Sequence, residues 1–140
     1  MIDPHNGILA FENPAITIRP DVTRPKFLEA SWARNSSDWV VNEPWHSWKL
    51  AGEYRSGMIS FLIVLFFQGD RLNMVDLSNA DAAFGETWSE YTLEKEAERE
   101  ASHNRWLSEC IGTQRSFDWG TVWSGIDQRG GGASIVIRYS

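Results

Sequence analysis

The run Met58-Ile59-Ser60-Phe61-Leu62-Ile63-Val64-Leu65-Phe66-Phe67 constrains the fold more than any other part of the chain. Its single hydroxyl leaves no alternation between a wet face and a dry one, so a strand formed here is covered on both sides. A membrane-spanning helix needs about twenty apolar residues, which excludes that reading of the run. Gln68-Gly69-Asp70-Arg71 then reads as a hairpin turn, with residues 72–77 as the returning strand. The expectation is an interior antiparallel strand buried under helices.

The flanking segments supply the helices and further strands. Residues 15–19 alternate and are stopped by Pro20, which suits a short strand. A helix follows, with Thr23 as cap, Pro25 in the first turn and Val22 stapling onto Phe27. Its apolar face continues through Leu28 and Trp32 and ends at Asn35-Ser36-Ser37. Residues 34–46 show little periodicity and read as a long loop carrying Trp39, Val40, Val41 and Trp45. Residues 48–55 read as a strand joined to the apolar run around Ser56-Gly57.

A second helix opens at Thr87, where Glu90 completes a capping box, or at Thr92. Leu93, Ala97, Ala101, Trp106, Leu107 and Cys110 read as its buried stripe, and Gly112 as its stop. Residues 117–126 and 133–139 form a hairpin across a tip containing Gly130-Gly131-Gly132. The order β-α-β-β-β-α-β-β predicts an α+β fold, a mainly antiparallel sheet carrying two helices. At 140 residues the length suits a single domain, residues 1–140, with one core.

Charge is distributed unevenly. The total is −6, from 13 Lys and Arg against 19 Asp and Glu. Residues 1–75 are close to neutral, whereas residues 76–110 hold nine acidic and three basic side chains. A solvated helix face explains this bias, with early glutamates favoured by the dipole and Glu96–Arg99 or Arg105–Glu109 pairing locally. The alternative to that simpler reading is a basic protein partner: Glu90, Glu94 and Glu98 at four-residue spacing repel one another in the free helix, and Lys or Arg across an interface would relieve them. The acidic balance also argues against nucleic acid as a partner.

Catalytic and metal chemistry find little support. His5, His46 and His103 make no His-x-x-x-His or His-Glu-x-x-His pattern, and Cys110 has no second thiol, so no metal or cofactor is expected. His103 reads as a boundary residue bonded to a sheet carbonyl. Cys110, at the C-terminal end of an acidic helix, reads as a buried thiol rather than a nucleophile. Ser124, Asp127 and His103 lack the Gly-x-Ser-x-Gly elbow of a triad. The triple glycine precedes a strand rather than a helix, so it makes a hairpin tip rather than a phosphate cradle.

Eight tryptophans are the unusual component. Trp32, Trp88, Trp106, Trp119 and Trp123 fall on regular elements and are expected in or beside the core. Trp39, Trp45 and Trp48 gather around the irregular stretch, either as a lid on the sheet or as anchors of a binding surface. Trp45, His46, Trp48 and Tyr54 could alternatively line a site for a small ligand or substrate.

The helix segment His103-x-x-Trp106-Leu107 with Gly112 is followed by Trp119-Gly120-x-Val122-x-Ser124-x-x-Asp127 and Gly131-x-x-Ser134-Ile135-Val136-Ile137-Arg138-Tyr139. This C-terminal pattern resembles short bacterial immunity proteins of interbacterial toxin systems (contact-dependent inhibition and type VI secretion). The resemblance implies a non-catalytic protein that binds and blocks one cognate toxin in the cytoplasm, and it carries over no catalytic residue. No secretory signal is apparent, and a cytoplasmic location away from the membrane is the expectation. The expected partner surface is therefore Glu90, Glu94 and Glu98 with Trp39, Trp45 and Trp48.

Overall fold

The long apolar run forms β6 (Ile59–Gln68), and a turn at Gly69 returns the chain as β7 (Arg71–Asn79). The computed structural model describes residues 1–140 except Gln128 and the side chains of residues 39–42. Two short strands, β4 (Trp45–Lys49) and β5 (Tyr54–Ser56), pair with successive parts of the other edge of β6. Beyond β4 lies β3 (Ser37–Asn42). Beyond β7 come β10 (Ala133–Tyr139), β9 (Gly120–Ile126) and β8 (Ser116–Phe117). Every pairing is antiparallel. The fold class is α+β, with β6 interior as expected, and β10 is interior as well, between β7 and β9.

Several local expectations change. The supposed loop over residues 34–46 is mostly the β3–β4 hairpin at the sheet edge, and a register shift between Asp38 and Val40 explains its lost periodicity. The strand expected over 48–55 is split between β4 and β5, with buried Leu50 between them. A strand not foreseen, β1 (Leu9–Glu12), pairs with β2 (Ala15–Ile18) in a separate hairpin. Helix α1 (Arg24–Glu29) has the expected Thr23 cap and early Pro25, but stops before Trp32.

One sheet face carries the core. Phe61, Ile63, Leu65 and Phe67 alternate inward from β6 and meet Leu72, Val75 and Leu77 of β7. The β1–β2 hairpin covers one part, with Phe11 edge-on to Phe61 at 6.2 Å. Phe27 of α1 covers another, 5.5 Å from Phe67. Helix α2 (Leu93–Ile111) covers the third, with Trp106 4.8 Å from Phe61 and its indole N–H donating to Ser56 Oγ.

The expectation that helices bury both faces of the apolar run is overturned. Both helices and the β1–β2 hairpin lie on the inner side, so Leu62, Val64 and Phe66 look the other way. An antiparallel sheet can leave one face open because cross-strand neighbours shield each other. Val64 is buried in this manner between Lys49 and Asp76, its partners on β4 and β7.

Candidate functional site

Helix α2 buries the C-terminal half of the stripe read from sequence, Trp106 and Leu107 with Cys110 packed beside them, but not its N-terminal half. Leu93, Ala97 and Ala101 are exposed, whereas Glu96, Ser102, His103, Trp106, Leu107 and Ile111 are buried. Spacings of three and four from Trp106 and Leu107 lead back to His103, Ser102, Arg99 and Glu96. The first half of the buried face is therefore polar, and each group is matched to a backbone partner.

Glu96 is the centre of this arrangement. Its Oε1 accepts the Ala133 N–H at the start of β10 (2.9 Å), and both carboxylate oxygens accept from Arg99 Nη1 at 2.7 and 2.9 Å. Arg99 Nη2 donates to the carbonyls of Phe84 (3.2 Å) and Gly85 (2.8 Å), with its guanidinium 5.7 Å from the centre of the Phe84 ring. The Glu96–Arg99 pair foreseen as a surface contact is thus a buried clamp. It fastens the segment preceding α2, and the β9–β10 turn, to the helix.

That segment is itself tightly built. Asn79 Oδ1 accepts the Asp81 N–H, and Asp81 Oδ1 accepts the Ala83 N–H, which starts a 3-10 turn over Ala82–Phe84. A second 3-10 turn, Trp88–Glu90, precedes the Thr92 cap, whose hydroxyl accepts the Lys95 N–H at 3.0 Å. Of the two starts allowed by sequence, Thr92 opens the helix. Tyr91 donates its hydroxyl to the Gly131 carbonyl at 3.0 Å. Gly131 has φ 76°, and a Cβ there would come within 2.7 Å of the Tyr91 oxygen. Glycine is required at this point of the tip.

The clamp holds an aromatic and acidic surface outward. Trp88 is 79% exposed, with its ring 5.8 Å from Tyr91, and Leu93 is 65% exposed. Glu86, Glu90, Glu94 and Glu98 are exposed as well. Phe84, Tyr91, Trp88 and the Glu96–Arg99 pair line a cavity of about 270 Å³. A large aromatic left in water on a segment anchored this firmly is the form that interface anchors take.

The residues expected to bind a partner do not form one surface. Glu94 and Glu98 share the exposed face of α2. Glu90 is not the first rung of a helical ladder, because it belongs to the 3-10 turn and its Oε2 accepts the Glu86 N–H at 3.1 Å. Trp45, 40% exposed, projects from the outer face of β4, while Trp48 projects inward against Phe27, 6.0 Å away. The Trp39 side chain lies outside the described residues. Trp88 and Trp123, expected in or beside the core, are instead among the exposed aromatics.

The alternative grouping of Trp45, His46, Trp48 and Tyr54 does not converge. His46 is buried on the inner side with Nε2 3.1 Å from Glu43 Oε1, opposite in direction to Trp45. Tyr54 pairs with Phe61, four positions along β6 from the Leu65 opposite Trp48. Its hydroxyl is held above its ordinary pKa by burial.

Two titratable groups outside these sets are shifted. His103 is wholly buried and accepts the Asn79 N–H through Nε2 at 2.8 Å, an amide rather than the carbonyl expected. Burial, then the charge of Arg99, lowers its pKa to about 4. Asp76, on the open sheet face, is raised to about 7, chiefly by burial. Cys110 is half-buried and its thiol is pushed up by burial, as suits a packing role. Among the described residues no three His, Cys, Asp or Glu side chains gather as metal ligands.

These shifts predict opposing pH dependences. Between about pH 4 and 6.5 unfolded His103 holds a proton that the folded form lacks, so its contribution to stability is lost as pH falls. Folded Asp76 holds a proton that its unfolded form lacks from about pH 4 to 7, so its contribution is lost as pH rises. The two slopes oppose each other across the shared window. Asp76→Asn removes one, and stability should then climb with pH by up to about 1.4 kcal/mol per unit. Urea titrations of both proteins between these pH values check this; equal slopes would contradict it.

Compared with protein-family models, curated proteins and solved structures, the chain has no match. No helix among the described residues is long and apolar enough to cross a membrane.

Proposed function

We propose that this is a non-catalytic cytoplasmic protein that binds and neutralises a basic protein partner, a cognate bacterial toxin domain. The observation carrying this reading is the exposed Trp88, on the clamped approach to α2, in a stretch of chain that also exposes Glu86, Glu90, Leu93 and Glu94. An exposed aromatic beside an apolar side chain supplies an anchor, and the carboxylates around it steer and select a cationic surface. The C-terminal resemblance to immunity proteins supports the choice of a toxin.

The anchor and the rim should act on different rate constants. Trp88→Ala is expected to speed dissociation by about thirty-fold, corresponding to about 2 kcal/mol, with association little changed. Co-expression with the toxin domain encoded by a neighbouring gene, followed by kinetic titration of the purified pair, tests this. Unfolding curves identical to those of the parent protein establish that Trp88→Ala remains folded. Failure to bind or neutralise that toxin would overturn the reading. Turnover of a small molecule that is lost in His46→Ala would favour a site on β4 instead.

A further inference from the structure

The open face of the sheet, on the side away from α2, carries a different pattern. Cross-strand register places Lys49, Val64, Asp76, Val136 and Trp123 in one row across β4, β6, β7, β10 and β9. Asp76 stands between two valines at its middle. Beside it Trp123, 47% exposed, with Ile126, Asp127, Ser134 and Val136 lines a groove of about 490 Å³. The Ser134 hydroxyl bonds to Asp76, and among the described residues no cation is within ion-pair distance of that carboxylate.

We propose that this open face docks a partner polypeptide that lays a lysine or arginine along Val136 and Trp123, with its charged head on the Asp76 carboxylate. Charge complementarity selects the occupant. The groove brings two carboxylates, Asp76 and Asp127, to apolar walls that suit an aliphatic stem, and the exposed indole of Trp123 offers a π-face to the cation.

The chain's own charges do not fill this role. Lys49 stands two strands away in the row, and Arg138 on β10 directs Nη2 to Met74 Sδ at 3.5 Å. Arg129 lines the groove without an ion pair to Asp76, while β6 and β9 place no charged side chain in the row. A carboxylate so placed holds its proton until about pH 7, through burial first and the charge of Asp127 after it. A docked cation takes Asp76 in its charged form, so binding expels the proton and tightens as pH rises through that value. The groove beside Asp76 and the cavity beside Trp88 share no lining residue, so either proposal can fail without the other.

The test uses the isotopically labelled full chain and the peptide acetyl-Val-Arg-Val-Arg-Val-amide, followed by NMR at the Asp76 carboxyl and the Trp123 indole N–H. Both signals should move, and affinity should fall at least ten-fold from about pH 8 to about pH 5. Asp76→Asn should weaken binding at least ten-fold at the higher pH, while Trp88→Ala leaves it unchanged. The same peptide with glutamine in place of arginine should leave both signals still. Unmoved Asp76 and Trp123 signals, equal affinity in Asp76→Asn, or shifts confined to Trp88, Glu90 and Glu94 would each overturn the proposal.

Discussion

A chain ending at Ser134 is expected to lose cooperative unfolding altogether. Residues 135–140 contain nearly all of β10, which is held between β7 and β9 in continuous register. Removing them exposes the inward neighbours of Ile135, Ile137 and Tyr139, all buried, and opens two strand edges at once. The Tyr139 hydroxyl also donates to the Gly7 carbonyl at 2.7 Å, so the N-terminal segment loses a tie. Each lost apolar side chain is worth about 1.5–3 kcal/mol, against a total stability of about 5–15 kcal/mol. Fluorescence and far-ultraviolet dichroism in urea should show no shared sigmoidal transition. A soluble truncated chain with coincident, steep transitions would contradict the assigned place of β10.

Glu96→Ala should be as damaging as truncating a core side chain of α2, costing about 3–5 kcal/mol. The variant leaves Arg99 largely buried without its carboxylate, and leaves the Ala133 N–H without its acceptor. Desolvation of an uncompensated guanidinium outweighs the loss of one ordinary hydrogen bond. Replacing both partners, Glu96→Leu with Arg99→Met, should cost less than Glu96→Ala alone, because no unpaired charge remains. Urea midpoints of the three proteins decide this. A loss below about 1 kcal/mol for Glu96→Ala would show that the pair behaves as an exposed one.

Much of the framework was legible in the chain. The apolar run, the turn at Gly69, the Thr23 and Thr92 caps and the terminal hairpin each rest on local chemistry that tertiary contacts reinforce. The β3–β4 hairpin was hidden because its register shift interrupts alternation. The face of α2 was misread for a geometrical reason. Ala101 and Trp106 stand about 140° apart around a helix, so they cannot belong to one narrow stripe. Following the stripe back from Trp106 by threes and fours would have reached Glu96 and Arg99, and hence the clamp.

The exposed tryptophans were harder to find. Trp88 sits in Glu-Thr-Trp-Ser-Glu, an aromatic among polar residues, which was the available signal of exposure. Trp123 sits on a strand whose inward positions are Val122 and Ser124, so alternation places it outward once the core face is known. Which sheet face the helices cover is a property of the whole topology. No local segment encodes it, and the apolar residues on both sides of β6 obscure it.

The association rate with the proposed toxin partner, measured across a range of salt concentrations, tests the central claim most directly. Binding at the acidic approach to α2 predicts a rate that falls steeply as salt rises, because exposed charges are screened within about 10 Å at 0.1 M. In a Glu94→Gln, Glu98→Gln protein the rate should be lower at low salt and its salt dependence flatter, with folding unchanged. Salt dependence equal in the two proteins, or an association rate insensitive to salt in the parent, would contradict the claim.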